Sequence, residues 1–383
     1  MWRRLAVVVT VPVLVVGGSA VAVGQPSSHG CAAIELVPLP GDAWADANDV
    51  NEDGVAVGVS GVGKDIDHAV MWSRDRLPVR LEPLGANDET TAVAINDAGV
   101  VMGTETTPVG ERAVRWDRKG AHELVPLPGD VRSLPTAING RGDVVGRSVS
   151  SAGYNARVVL WGRSGAPVEL SVPPNHLGDV AGVTDAGVAY GFLEALDGSH
   201  PLSQAAFWRP DGALRLLEVP EGSVYSEVED VNERGVAVGR VNGTAYRWDA
   251  DGHGQPLDDL AEENTDAFAV NSRGESVGIS VIAFTRGTRW GRAGHVRELF
   301  PPADTWMPWP HDINDRGVVV GTAQRGWDTY PVVWAAGSDQ ATELLDPHGA
   351  ALTGGGAAKV TNSGYVTGGR AGDRGVIWRL PRS

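Results

Sequence analysis

The sequence has a single cysteine and few basic residues relative to acidic ones, and each shortage excludes a class of site or partner. Cys31 is the only cysteine, so an intrachain disulfide and a cysteine-based metal site are both impossible. Only three of the 32 basic residues are lysines, and the acidic residues outnumber the basic ones to give a net charge of −16. This acidity argues against binding to nucleic acid, because basic side chains are needed to displace counterions from the phosphates. It argues equally against binding to an anionic membrane surface.

Sequence motifs of known catalytic and cofactor sites are also missing. The chain has no Gly-x-Ser-x-Gly nucleophile elbow, no His-Glu-x-x-His zinc motif and no phosphate-binding loop. The stretch from Asp49 to Gly54 matches the start of a calcium loop, but Ser60 stands where that loop needs a glutamate. We therefore expect no cofactor and no metal, and we favour a binding function over an enzymatic one.

The N-terminus has the features of an export signal. Arg3 and Arg4 precede an apolar run, and Ala20-Val21-Ala22 offers a cleavage site of small residues. We expect residues 1–22 to be a signal peptide and residues 23–33 a short linker, which makes the protein secreted. Removing two arginines changes the net charge from −16 to −18. The alternative is an uncleaved membrane anchor, because the apolar run is almost long enough to span a bilayer.

An internal repeat dominates the rest of the chain. Eight times, a glycine is followed four residues later by a second glycine and then by a tryptophan, and successive first glycines are 39 to 48 residues apart. The first glycines are Gly54, Gly99, Gly142, Gly187, Gly235, Gly274, Gly317 and Gly364. The tryptophans are Trp72, Trp116, Trp161, Trp208, Trp248, Trp290, Trp334 and Trp378. A period of this length indicates a repeat architecture.

Each repeat unit divides into four short segments with strand character. The segments are rich in valine and are bounded by glycine, asparagine, aspartate and proline. Asn-x-x-Gly joins the first two segments, where the asparagine side chain can bond the backbone ahead of it and the glycine can adopt a positive φ. Trp-x-x-x-Gly, as in Trp116 to Gly120, joins the last two as a hairpin. Thr184 and Thr361 replace the asparagine in two units.

These units predict an all-β, eight-bladed β-propeller of four-stranded blades that spans residues 34–383 as one domain. The second segments, such as Gly54 to Gly58, are apolar on both faces, so each sheet must be covered on both sides. The last unit lacks a fourth strand, and Ile34 to Asp42 matches the fourth strand and exit loop seen at Glu123 to Asp130. We therefore expect the N-terminal strand to close the ring in the last blade. A linear solenoid would instead need polar caps at both ends.

The repeats resemble the HAF-type extracellular repeat family over nearly all of the mature chain. The family pattern of Ala-x-x-Ile-Asn-Asp-x-Gly-x-Val-Val-Gly followed by His-Ala-Phe-x-Trp appears at Ala92 to Gly103 and at His68 to Trp72. Departures occur, since Gly287 or Pro331 replaces the alanine of the second motif in other units. The resemblance implies an exported propeller and supplies no catalytic residues.

The candidate ligand-binding residues are those that the repeat does not explain. The repeat tryptophans are expected to pack between blades. Outside the repeat, Trp2 belongs to the signal segment, and the remaining tryptophans fall in loops of one predicted face. The candidates are Trp44, Trp306, Trp309, Trp327, Tyr330, His311 and Asp312. Aromatic rings on one rim are typical of sugar or peptide recognition, because a ring face buries apolar area while its edge stays wet. The alternative is that these rings only contribute to the packing of the loops.

Three functions are consistent with this pattern. The favoured one is a secreted, monomeric binding protein that recognises an extracellular glycan or peptide through the aromatic rim. The second is a secreted polysaccharide hydrolase or lyase with carboxylates contributed by several blades, which requires two carboxyl groups within about 10 Å. The third is a structural cell-surface protein without a small ligand.

Overall fold

The fold is an eight-bladed β-propeller, as the repeat predicts. A computed structural model describes residues 31–381 apart from 64–66, 87–88, 154–155, 261–263 and 282. These residues form eight antiparallel sheets of four strands each. In the described part of the chain, no helix has the length and apolarity needed to cross a bilayer. The predicted signal peptide and most of the predicted linker lie outside the described residues.

The strands are numbered along the chain, and each blade takes four of them. The first strand is β1 (Ala32–Leu36). Blades 1 and 2 contain β2 (Trp44–Val50), β3 (Ala56–Gly61), β4 (Asp67–Trp72), β5 (Pro78–Arg80), β6 (Thr90–Ile95), β7 (Val101–Thr107), β8 (Gly110–Asp117) and β9 (Gly120–Leu124). Blades 3 and 4 contain β10 (Arg132–Ile138), β11 (Val144–Val149), β12 (Arg157–Trp161), β13 (Pro167–Glu169), β14 (His176–Val183), β15 (Ala189–Ala195), β16 (Ser203–Trp208) and β17 (Leu214–Leu216). Blades 5 and 6 contain β18 (Ser226–Val231), β19 (Ala237–Val241), β20 (Thr244–Trp248), β21 (Gly254–Pro256), β22 (Asn264–Val270), β23 (Ser276–Val281), β24 (Thr285–Trp290) and β25 (Val296–Leu299). Blades 7 and 8 contain β26 (Trp306–Ile313), β27 (Val319–Arg325), β28 (Asp328–Trp334), β29 (Ala341–Glu343), β30 (Lys359–Val360), β31 (Tyr365–Ala371) and β32 (Arg374–Arg379).

The N-terminal strand closes the ring, which confirms the prediction from the split repeat. β1 pairs antiparallel with β32, with Ala32 opposite Arg379 and Leu36 opposite Gly375, and so supplies the fourth strand of blade 8. It begins at Ala32, inside the segment predicted as a linker. Cys31 is half-buried against the core of blade 8, and burial raises the pKa of its thiol.

The eight repeat tryptophans connect neighbouring blades, as expected. Each is at most 3% exposed. Each indole Nε1 also donates a hydrogen bond of 2.7 to 3.0 Å to a carbonyl oxygen just beyond the outermost strand of the preceding blade. Trp72 bonds the Val37 carbonyl in this way and so ties blade 1 to the N-terminal strand. The tryptophans are therefore structural.

The repeat asparagines form hydrogen bonds between blades that the sequence does not predict. As expected, Asn51 Oδ1 accepts the backbone N–H of Asp53 and Val55 within its own turn. Its Nδ2 also donates to the Asn96 carbonyl of the next blade, and six such bonds of 2.8 to 3.2 Å run between neighbouring blades. Thr184 and Thr361 lack the amide, so each run of these bonds ends at a threonine.

In seven of the eight repeats, a bulge in the innermost strand requires the second glycine. β6 slips register between Ala92 and Ala94, which brings the Thr91 carbonyl onto the second strand. A Cβ on Gly103 would lie 1.8 Å from that oxygen. The other seven second glycines face the same obstacle at 1.8 to 2.1 Å. The glycine pair thus combines a turn residue with a site of close backbone approach.

The antiparallel order gives the propeller two distinct faces. We call the face that carries the turns between first and second strands, and between third and fourth strands, the turn face. We call the opposite face, which carries the hairpins between second and third strands and the loops between blades, the hairpin face. The innermost strands line a central channel between the two faces.

Candidate functional site

Exposed apolar side chains concentrate on the hairpin face. Of the sixteen large hydrophobic side chains that the described residues expose, nine lie on this face or the adjoining channel wall, six lie on or just after outermost strands, and one, Leu77, lies on the turn face. The nine are Val62, Val109, Val131, Leu196, Tyr225, Phe284, Trp306, Trp309 and Trp327. Four of these nine are aromatic rings in blades 6 and 7, so we take the hairpin face of these two blades as the candidate binding surface.

The rim of blade 7 is built around Arg325. Trp327 is at the tip of the β27–β28 hairpin with 94% of its surface exposed, and Trp306, at the start of β26, is 48% exposed. The Arg325 guanidinium bonds Asp304 at 2.7 Å and Glu343 at 3.0 Å, which ties the loop before β26 to the hairpin and to the outermost strand. The hydrogen bond from Arg325 holds the pKa of Asp304 below its ordinary value. The two tryptophans therefore project from a braced rim.

The channel wall below this rim is also aromatic. Trp309 lies in β26 and stacks on Phe268 of β22, with ring centroids 5.7 Å apart and planes within 6°. Both rings occupy irregular stretches of innermost strands, where bulges displace side chains from the blade interior. His311, at the next bulge of β26, is exposed to the channel, and desolvation there lowers the pKa of its imidazole. Desolvation therefore favours the neutral form of the His311 imidazole.

The structure does not place the other three predicted residues on the exposed surface. Trp44 is partly buried, its Nε1 donates to the Gly63 carbonyl, and the Arg370 guanidinium covers its ring at 5.1 Å. Tyr330 is only 7% exposed, with Arg325 stacked 4.4 Å from its ring centroid. Both rings already have a cation against them.

Asp312 is enclosed and has a structural task. Its Oδ1 accepts the backbone N–H of Ile313, and its Oδ2 accepts the N–H of Val360 in the next blade. Burial raises the pKa of its carboxyl group. Asp312 therefore bridges blades 7 and 8 and is not available as a ligand contact on the rim.

A group of carboxylates lies beside the stacked rings. Glu227 in β18 and Asp266 in β22 share the guanidinium of Arg240, at 3.0 and 3.4 Å. Burial raises the pKa of Asp266 to about 7, against the opposing effect of Arg240, and the charges of Glu229 and Glu227 raise it further. One carboxyl group of this cluster is thus partly protonated at neutral pH.

The turn face carries acidic residues whose oxygens are already engaged. A cavity of about 270 Å³ is at its centre and is lined by the innermost turns of blades 1, 2, 5, 6, 7 and 8. Around it, Asp97 accepts the N–H of Glu52 at 2.9 Å, and Asp315 accepts the N–H of Ser272 at 2.7 Å. Glu52 in turn accepts two N–H groups of blade 8 at 2.6 Å each. These acids hold neighbouring turns together.

The channel side of this cavity contains an ion pair with the same structural character. Lys359 Nζ bonds Asp49 Oδ1 at 2.9 Å, while Asp49 Oδ2 accepts the N–H of Ile95. Desolvation would lower the pKa of Lys359, but the negative charge of Asp49 outweighs it and the pKa is raised. Asp49 therefore belongs to an interblade bridge, and no group of three or more metal-ligating side chains occurs among the described residues.

A larger cavity lies elsewhere, between blades 3 and 4. Its volume is about 680 Å³, and Leu170, Pro173, Pro174 and Leu177 contribute apolar walls. Arg157, at its edge, is already paired with Asp130 and Glu169. The cleft offers apolar area and lacks the exposed aromatic rings of blades 6 and 7.

Sequence reasoning missed Phe268, Phe284 and the carboxylates around Asp266. Phe284 is at the tip of the β23–β24 hairpin and is 76% exposed. Phe268 occupies the bulge position, which is the residue between the two alanines in Ala267-Phe268-Ala269. Aligning that position across the repeats would have identified Glu229, Phe268 and His311 as unusual members of a mostly small or neutral set.

Comparison with solved structures supports the architecture alone. The chain is similar to dipeptidyl peptidase 4 of Porphyromonas gingivalis, with 9% identity, a TM-score of 0.56, and coverage of 85% of this chain and 56% of that one. It is similar to prolyl oligopeptidase B of Galerina marginata, with 9% identity, a TM-score of 0.54, and coverage of 80% and 52%. It is also similar to virginiamycin B lyase of Staphylococcus aureus, with 14% identity, a TM-score of 0.47, and coverage of 75% and 93%.

At these identities the likeness to the two peptidases shows a β-propeller fold and nothing about chemistry. No family model matches the chain, and no curated protein matches its sequence significantly. The HAF-type resemblance therefore stays a prediction.

Proposed function

We propose that the protein is an exported β-propeller that binds an extracellular glycan or peptide on its hairpin face, at blades 6 and 7. The observation that carries this proposal is the concentration of exposed aromatic rings there. Phe284, Trp306 and Trp327 are between 48% and 94% exposed, and Trp309 adds a ring on the channel wall. Large exposed aromatic side chains bury much area on contact and lose little conformational entropy, which suits them to binding.

The contrast with the turn face supports this assignment. Its acidic side chains accept backbone N–H groups of neighbouring blades, so a ligand there would compete with bonds that hold the ring together. The aromatic side chains of blades 6 and 7 have no comparable task. Removing them should leave the ring intact.

The test is a binding screen with alanine variants. The purified protein is screened against soluble cello- and chito-oligosaccharides, cell-wall fragments and a peptide library. Alanine at Trp306, Trp309 and Trp327 together should reduce binding at least tenfold, whereas Leu77→Ala on the turn face should leave it unchanged. Equal binding by the triple variant would exclude this surface.

A second candidate, a secreted polysaccharide hydrolase or lyase, is favoured by one observation. Asp266, with its pKa of about 7, shares Arg240 with Glu227, and a partly protonated acid beside a second carboxyl group is the arrangement that general acid–base cleavage of sugars uses. Release of reducing ends or unsaturated products from a polysaccharide panel tests it. Activity that disappears in Asp266→Asn and persists in Glu221→Gln would favour this candidate over pure binding.

A further inference from the structure

In four blades, a hydroxyl group of the next blade accepts a backbone N–H of the third strand. The hydroxyl always belongs to the innermost strand of that next blade, and the bonds are 2.7 to 2.9 Å long. They run from Ala69 to Thr90, from Ala113 to Ser133, from Ala205 to Ser226 and from Ala245 to Thr265. Each bond pairs a buried donor and joins two neighbouring blades.

Val158 has no such partner in blade 3. Like Ala113, it pairs with the residue after the second glycine of its repeat. The position of Ser133 is taken in blade 4 by Gly178, which likewise stands two residues before the residue opposite the second glycine. The Val158 carbonyl accepts the N–H of Leu170 at 3.0 Å, so its own N–H points to that side and away from β11. No residue that the structure describes accepts this N–H, although Val158 is fully buried.

The unpaired N–H belongs to the wall of the cavity between blades 3 and 4. Val158 and Gly178 both line this space of about 680 Å³. Leu170, Pro173 and Leu177 add apolar surface to it. Cavities of this volume with largely apolar walls and a few polar groups are typical of small-molecule sites. A ligand that offers an acceptor here would remove the cost of a buried, unpaired donor.

The charged groups at the edge of the cavity disfavour an ionic ligand. Arg157 bonds Asp130 at 2.9 Å and Glu169 at 3.1 Å, so its charge is already neutralised. An anion would meet these two carboxylates, and a cationic group such as ammonium or guanidinium has no lone pair to accept the N–H of Val158. The cavity is therefore suited to a neutral molecule that has an oxygen acceptor on an apolar frame.

We propose that the cavity between blades 3 and 4 binds a small neutral molecule whose carbonyl or hydroxyl oxygen accepts the N–H of Val158. This oxygen takes the place of the hydroxyl group that Ser133 supplies to the equivalent N–H of blade 2. The apolar part of the molecule packs against Leu170, Pro173 and Leu177. The site is separate from the surface of blades 6 and 7, so it adds a second class of ligand to the proposed function.

The test uses acetophenone and ethylbenzene, which are similar in size and differ in one carbonyl group that a methylene group replaces. Val158→Pro removes the N–H, and Pro331 already occupies the equivalent position of blade 7, where it pairs with the residue after the second glycine. Acetophenone should bind this variant about fivefold more weakly than the parent, as measured by saturation-transfer NMR. Ethylbenzene has no acceptor and should bind both proteins equally. Circular dichroism verifies that the variant is folded.

A second measurement needs no change at Val158 in the protein that binds the probe. In protein with isotope-labelled valine, acetophenone should shift the amide proton of Val158 downfield, and ethylbenzene should not. Val158→Ala assigns this signal by removing it from the valine spectrum. The same variant keeps the N–H, so it should change the affinity for the two probes by the same factor.

The remaining outcomes separate this site from the aromatic surface. Acetophenone binding that persists when Trp306, Trp309 and Trp327 are all alanine would support the inference. Loss of acetophenone binding in that triple variant would place the probe on the aromatic surface and overturn the inference. An absence of acetophenone binding, an equal loss of both probes in Val158→Pro, or an unshifted Val158 amide would also overturn it, because an ordered water would then be the partner of the N–H.

Discussion

The two faces of the propeller differ in the side chains that they carry and in what those side chains contact. On the turn face, carboxylates and amides bond the backbone of the neighbouring blade, as Asp315 does with Ser272 and Asn314 with Thr361. On the hairpin face, Trp327 and Phe284 project into solvent. The polar groups of the turn face hold the ring closed, whereas the exposed rings of the hairpin face remain accessible to a ligand. Substitutions should therefore change stability on one face and ligand binding on the other.

The largest effect on stability is expected for a substitution within the strands of a blade, because these strands support both faces. Gly103→Ala places a Cβ 1.8 Å from the Thr91 carbonyl, so the bulge of β6 must move or the blade must unfold. We expect a loss of about 3–5 kcal/mol in the free energy of unfolding. Gly63→Ala is the control, because a Cβ there meets no atom within 4 Å. Chemical denaturation measures both, and similar losses in the two variants would contradict the close approach.

The pH dependence of the free energy of unfolding tests the raised pKa of Asp266 on the hairpin face. Its folded pKa of about 7 lies above the ordinary aspartate value of 3.8, so its contribution to stability is fully present below about pH 4 and is lost as pH rises to about 7. Asp266→Asn removes this loss. The variant should gain stability relative to the parent with rising pH, at up to about 1.4 kcal/mol per unit within that window. Denaturation at several pH values measures the difference, and parallel curves would rule out a raised pKa.

A graded pair of substitutions tests the asparagine bonds of the turn face. Asn314→Ala removes the hydrogen bond that Nδ2 donates to the Thr361 carbonyl, and it removes the Oδ1 that accepts the backbone N–H groups of Arg316 and Val318. This variant should lower the free energy of unfolding by about 2–3 kcal/mol. Asn314→Thr should lower it by only about 1 kcal/mol. In blade 4, Thr184 keeps the within-turn bond to Val188 without an interblade amide. Equal losses would mean that the interblade bond contributes nothing.

The smallest effect on stability is expected at the hairpin tip. Trp327→Ala removes a ring that is 94% exposed, so the free energy of unfolding should change by less than about 0.5 kcal/mol. Binding in the screen above should nevertheless weaken. A marked loss of stability would show that this ring packs against the rim, which was the competing interpretation of the loop aromatics.

The sequence predicts the frame well because the frame repeats. Because the pattern occurs eight times, local variation does not obscure it. The four strands of each blade, the turn glycines and the position of the closing strand could therefore be predicted from the sequence. The function of the second glycine was not, because Gly103 is fixed by a bulge in a different strand. The interblade bond of each asparagine was likewise invisible, since it joins residues more than 38 positions apart.

The candidate site was recoverable only in part, because it consists of departures from the repeat. Trp306 and Trp327 stood out as tryptophans without a place in the pattern, and both are exposed. Tyr330 looked equivalent but is covered by Arg325, a contact set by the packing of one hairpin. Asp266 gave no signal, because its raised pKa comes from burial and from carboxylates on another blade.

The pairing of Ala32 with Arg379 has a practical consequence for orientation. β32 leaves the hairpin face at Arg374 and reaches the turn face at Arg379, so the described chain both enters and leaves blade 8 on the turn face. A tether, a fusion partner or a sensor-chip linkage attached through either end would direct Trp306, Trp327 and Phe284 away from the support. Immobilised in this way, every molecule would present the same side to an incoming analyte.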